Sequence, residues 1–188
     1  SLGKIKEIKQ IKNNNINSNN FQILTRRKKY VIRFVTDFSN YKKIENICKI
    51  LNDQNKIKLF HFARFDIAAL QNHFKISTSP VYCTKIASKL VRTYTDRHGL
   101  KNLLREMLLI DISKQQQSSD WGAPELSKSQ VEYAASDVLY LHKLMDKLNI
   151  NLRRENRMEM ANACFDFLPM RAELDLAGWS EHDIFSHT

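Results

Sequence analysis

Tyr133 and Asp137 stand four residues apart within the stretch Ser127 to Leu148. That spacing puts a phenol and a carboxylate on one helical face, one turn apart. Such a pair can help hold a metal ion and orient a water beside it, although a Tyr/Asp pair on a solvated helix face is commonly no more than that. Asp66 is the second informative carboxylate. It follows the apolar run Ile57 to Phe62, in F-H-F-A-R-F-D, just past the end of a buried strand. There it either serves a site or complements the positive end of the helix that follows.

The elements around these residues can be read from periodicity. Ser127 is a natural N-cap. Val131, Ala134, Ala135, Val138, Leu141, Leu144, Met145 and Leu148 then recur at helical spacing, which predicts one helix with a broad apolar stripe over 127–148. Upstream, Phe21–Leu24 and Tyr30–Val35 read as strands joined by a turn at T-R-R-K-K, and residues 4–20 as a polar loop. Helical spacing marks Asn40–Leu51 and Arg64–Phe74, the latter with Phe65, Ala68, Leu70 and Phe74 as core candidates. Pro80–Cys83 is extended, Thr84 caps a helix running through Leu90, and His98-Gly99 opens another through Met107. Asn149–Ala177 is mostly helical, with Ala161, Cys164, Phe165 and Leu168 inward and Pro169 marking a kink or break. Strands first and helices after predict an α/β or α+β layer arrangement.

Composition narrows the class. The 188 residues suit one domain with a sizeable core. No run of about 18 apolar residues occurs, so no membrane-spanning helix is expected. No secretory signal is visible, and Cys48, Cys83 and Cys164 lie far apart without C-x-x-C spacing. A disulfide framework and a structural zinc site are therefore not expected, and a cytoplasmic setting is. The net charge of +10 is concentrated at one end: residues 1–60 hold 14 Lys/Arg against 4 Asp/Glu, whereas the rest balance at 16 against 16. The cluster Arg26-Arg27-Lys28-Lys29 suits a phosphate backbone, and equally suits a solvated turn.

Three patterns occur in fixed order: a strand followed by H-F-A-R-F-D; C-T-K-I-A-S-K-L followed by H-G-L-K-N-L; and K-Q-Q-Q-S-S-D-W-G followed by Y-A-A-S-D. Together they resemble the ribonuclease D-like 3′–5′ exonucleases, the branch of the DEDD superfamily whose third motif is Y-x-x-x-D, in their short single-domain form. The resemblance covers Phe21 to Thr188. It implies an α/β, ribonuclease H-like fold with a mixed sheet flanked by helices, and a single exonuclease domain over 1–188. Within that domain 1–20 would be a polar N-terminal segment and 150–188 a C-terminal helical part.

The resemblance also implies roles. Asp66 matches the second-motif aspartate, and Tyr133 and Asp137 match the third-motif pair. Asp66 and Asp137 would be metal ligands, and all three catalytic, with two divalent ions, Mg²⁺ or Mn²⁺. Such ions favour carboxylate oxygen and assist attack on an anionic phosphodiester. Phe62, Phe65, Gln117, Trp121, Arg26 and Arg27 are the substrate-side candidates, although core packing is the favoured reading for the three aromatic residues. Cys83-Thr84 stands where many members have Asp-Thr. The expected partners are single-stranded RNA 3′ ends, in tRNA or other structured RNA, with no membrane involvement.

One departure bears on activity. The family carries D-x-E on its first strand, and no D-x-E precedes Phe21; the first aspartate is Asp37. Members often read D-T-E-x-x-G-L there, and this chain opens S-L-G, so the first strand and its carboxylates are expected to lie upstream of Ser1. The chain as given would then be a truncated copy with little or no activity. Two other readings stand beside it: a degenerate exonuclease fold that binds RNA or a protein without cutting, and a 3′–5′ DNA exonuclease.

Overall fold

The computed structural model describes residues 8–10, 21–24, 29–30, 41–112, 116, 118–120, 126–181 and 183–187. Its first three strands are antiparallel neighbours: β1 (Ile8–Gln10), β2 (Phe21–Leu24) and β3 (Lys29–Tyr30). Ile23 pairs with Ile8 on one side and with Tyr30 on the other. The expected antiparallel pairing is present between Phe21–Leu24 and Lys29–Tyr30, while the turn at 25–28 and the rest of the second predicted strand, 31–35, lie outside the described residues. The reading of 4–20 as loop needs correction at 8–10, where backbone pairing organises a segment too polar to show a strand pattern.

After α1 (Tyr41–Asn52) comes a βαβ unit: β4 (Lys58–Phe60), α2 (Ala63–Phe74) and β5 (Val81–Cys83). The strands are parallel, with Lys58 opposite Val81 and Phe60 opposite Cys83. Parallel neighbours need a crossover connection, and α2 supplies it. The described strands thus form two sheets, one antiparallel and one parallel. The apolar run was expected to stay extended to Phe62, but β4 ends at Phe60. Phe62 takes φ 72°, ψ 46°, a left-handed conformation that a bulky side chain rarely adopts.

Four helices complete the core: α3 (Thr84–Val91), α4 (Leu100–Leu108), α6 (Leu141–Arg154) and α7 (Met158–Leu174). α2 packs mainly on α7, and α3 on α6. Ile67, Leu103, Leu104, Leu144, Leu148 and Leu152 are fully buried between them. Burying such side chains is worth about 1.5–3 kcal/mol each, so this cluster dominates the stability of the fold. Ala161, Phe165 and Leu168 point inward as expected, while Cys164 is half-buried. Pro169 does not break α7; it lies inside the helix, and its carbonyl accepts from Gln71 Nε2 at 3.4 Å.

The stretch read as one helix over 127–148 is two. α5 (Lys128–Leu139) ends at Tyr140, whose φ −104°, ψ 0° is not helical, and α6 begins at Leu141. The apolar stripe divides accordingly. Leu141, Leu144 and Leu148 are buried, but Val131 and Val138 are exposed. Ser127 does cap α5, in a reciprocal box: its Oγ accepts from Gln130 N, and its own N donates to Gln130 Oε1. Thr84 is not a cap. Cys83 holds that position, and the Thr84 hydroxyl donates to Phe60 O instead.

Candidate active site

Asp66 sits in the first turn of α2, directly after the left-handed turn at Phe62. Burial pushes its carboxyl up to about 7, with its own backbone amide opposing the shift. The turn is tied down at Arg64, whose Nε and Nη2 donate to the two carboxylate oxygens of Asp175 at the end of α7. Arg171 Nη2 also donates to Asp175, at 2.9 Å. Asp66 is thereby held by a scaffold whose ends are 111 residues apart in sequence.

Around this turn the Phe62 and Phe65 rings meet edge to face at 4.7 Å, and Lys85 Nζ lies 3.6 Å from the Phe62 ring centre. Both rings are half-buried. Lys85 comes from the first turn of α3, and no local pattern announces that it should meet Phe62. His61 is half-buried beside it. Burial first, and then Lys85, depress its imidazole to about 4. Its Nδ1 lies 2.9 Å from Thr84 Oγ1. The Thr84 hydroxyl also donates to Phe60 O at 3.1 Å, which ties the end of β4 to the start of α3. This setting fits the packed, neutral histidine expected from the sequence.

Tyr133 and Asp137 lie on α5, both half-buried. Burial raises the Asp137 carboxyl. Burial and then the Asp137 charge raise the Tyr133 phenol, so the two groups share one local field. α5 is held by Gln130, whose Nε2 donates to Ser119 Oγ at 3.2 Å and to Asp120 O at 2.9 Å. Gln130 is a positioning residue that was not singled out in the sequence, although S-x-x-Q at a helix start is its visible signal.

Tyr133 and Asp137 are thus brought together. Asp66 stands on a different element, and neither carboxyl's shift has the other among its causes. Arg26, Arg27, Gln117 and Trp121 lie outside the described residues. The two acids suit a hard dication as part of a ligand set: both are oxygen donors, burial penalises their charge, and no ion pair to either occurs among the described residues. They are not a complete set, since no group of three or more His, Cys, Asp or Glu converges among those residues.

The family model for a 3′–5′ exonuclease matches residues 9–153. The chain belongs to the 3′–5′ exonuclease family. A ribonuclease D from Gluconacetobacter diazotrophicus is 33% identical to this chain over 110 residues, covering 58% of this chain and 28% of that protein. Brucella melitensis NrnC bound to pGG matches with 58% identity and a TM-score of 0.74, over 76% of this chain and 69% of that one. A second Brucella melitensis NrnC structure holds bound Mg²⁺, at 57% identity and TM-score 0.73 over the same shares. Escherichia coli RNase D shares the fold at TM-score 0.63 and 24% identity, over 82% of this chain and 40% of that chain. The α/β, ribonuclease H-like fold class and the resemblance to ribonuclease D both hold. The exonuclease chain spans less than a third of the curated ribonuclease D it matches. No helix among the described residues is long and apolar enough to cross a membrane.

Proposed function

We propose that this exonuclease removes nucleotides from the 3′ ends of short RNA, with Asp66 and Asp137 as metal ligands and Tyr133 as the group that orients water. The observation that carries this reading is the Tyr133–Asp137 pair on α5: a phenol and a carboxylate one turn apart, in a shared field, within a family match. Asp66 is assigned to the same centre through its match to the second motif and its burial. The likeness to NrnC bound to pGG favours short oligonucleotides over long structured RNA as substrates.

The chemistry a pair of Mg²⁺ or Mn²⁺ ions supplies is a water made acidic and a departing oxyanion stabilised. The chain's own part is positional. Tyr133 Oη accepts or donates one hydrogen bond to water, Asp137 and Asp66 provide carboxylate oxygens, and the Phe62–Phe65 pair offers an apolar wall for a terminal base. No D-x-E occurs in the sequence, so Asp66 and Asp137 supply only part of a metal-ligand set.

The test is release of mononucleotides from a 5′-labelled short RNA with Mg²⁺, and again with EDTA. Metal-dependent release that Asp137→Asn abolishes supports the reading; release that ignores either overturns it. A second reading, binding without cutting, is favoured by that same missing motif. Saturable RNA binding with no metal-dependent release would select it.

A further inference from the structure

Between the loop that follows α3 and the outer faces of α4 and α6 lies a groove of about 350 Å³ that the hydrolysis proposed above does not use. Met107 of α4 and Ile150 of α6 are its apolar lining residues. Tyr94 also lines it and is 73% exposed. Large exposed rings are ordinarily free to reorient, but this one is anchored. Its hydroxyl donates to Glu106 Oε1, and Arg92 Nε donates to the same carboxylate oxygen at 2.9 Å, while Arg92 Nη2 takes Oε2. Arg92 is itself buried, with 2% exposure, and its Nη1 donates to Ser88 Oγ at 3.2 Å and to Arg97 O at 2.8 Å. An open aromatic face is therefore fixed by a buried guanidinium.

α6 adds Lys147 and Asn151 to the lining, one turn apart. Arg92 and Glu106 neutralise one another, so Lys147 is the cation the groove presents. A fixed aromatic face, a side-chain amide and an ammonium in one partly apolar groove match the parts of a nucleotide: a stacking surface for the base, a partner for its polar edge, and a charge for phosphate.

We propose that this groove is a second binding site for single-stranded nucleic acid, seating one nucleotide with its base on Tyr94 and its phosphate at Lys147. It lies on elements other than α2 and α5, which carry Asp66, Tyr133 and Asp137, and so adds grip on the strand away from the cut. The choice of nucleic acid as ligand rests on the function proposed above.

The test is fluorescence anisotropy of a 5′-fluorescein single-stranded RNA dodecamer, titrated with the chain in EDTA at several salt concentrations. Tyr94→Ala is expected to weaken binding about tenfold, the size of one lost base stack. Tyr94→Phe keeps the ring but releases it from Glu106, and should bind less tightly than the parent chain and more tightly than Tyr94→Ala. Lys147→Ala should lower the salt dependence by the equivalent of one phosphate contact, a slope change of about 0.7. Unchanged affinity in Tyr94→Ala overturns the site, even where Lys147→Ala weakens binding, because charge alone would then explain the attraction. Mg²⁺-dependent release is read separately on the parent chain. Tyr94-dependent binding without release sinks the hydrolysis only, and release with Tyr94-independent binding sinks the groove only.

Discussion

Arg64 on the first turn of α2 and Asp175 at the end of α7 form a two-pronged ion pair, both guanidinium prongs landing on the one carboxylate. Asp175 is buried, and Arg64 Nη2 also donates to Ser180 O at 3.0 Å. The pair therefore fixes the orientation of the turn that carries Asp66, two residues on. Removing one partner leaves the other's charge buried. Asp175→Asn is expected to cost roughly 3 kcal/mol in urea unfolding. A cost near zero would show that the turn is held by α2–α7 packing alone.

Tyr133→Phe removes a hydroxyl and little volume. If Tyr133 orients water, kcat for nucleotide release falls on the order of 10²-fold while KM barely moves. A raised KM with kcat unchanged would place the phenol in substrate binding instead.

His61 makes stability depend on pH in a definite direction. Its folded value is about 4, against 6.5 for an unperturbed imidazole. Between those values the unfolded chain binds more protons than the folded one, so stability is intact above about 6.5 and is lost as pH falls toward 4. The full effect is at most about 3 kcal/mol. Urea unfolding of His61→Gln across that window should show a flatter profile than the parent; parallel profiles would remove His61 as the cause.

α5 should open more readily than α6. Its buried contact is Gln130, whereas α6 buries Leu141, Leu144, Leu148 and Leu152. Amide exchange over 131–139 is expected to be faster than over 144–152, and Gln130→Ala should widen the gap. Equal protection in the two segments would mean that they unfold as one unit.

Much of this was legible from periodicity. The succession of β4, α2 and β5, the inward face of α7 and the Ser127 cap all follow from local pattern, whereas the parallel pairing of the two strands does not. The end of α5 was not, because Leu139-Tyr140-Leu141 contains no Gly or Pro and the apolar spacing runs through it unbroken. Only burial shows that Val131 and Val138 face outward. Likewise, nothing near Phe62 says that it turns left-handed, nor near Lys85 that it will lie over that ring. Those are meetings of distant segments, whereas Tyr133 and Asp137 were found because both sit on one helix.

The interruption at Tyr140 separates the turns bearing the phenol and its acid from the buried framework by a joint rather than a continuous rod. Under the proposed function, substitutions that retune Tyr133 and Asp137 would be insulated from the packing that keeps the molecule folded, so that chemistry and thermal robustness could vary separately.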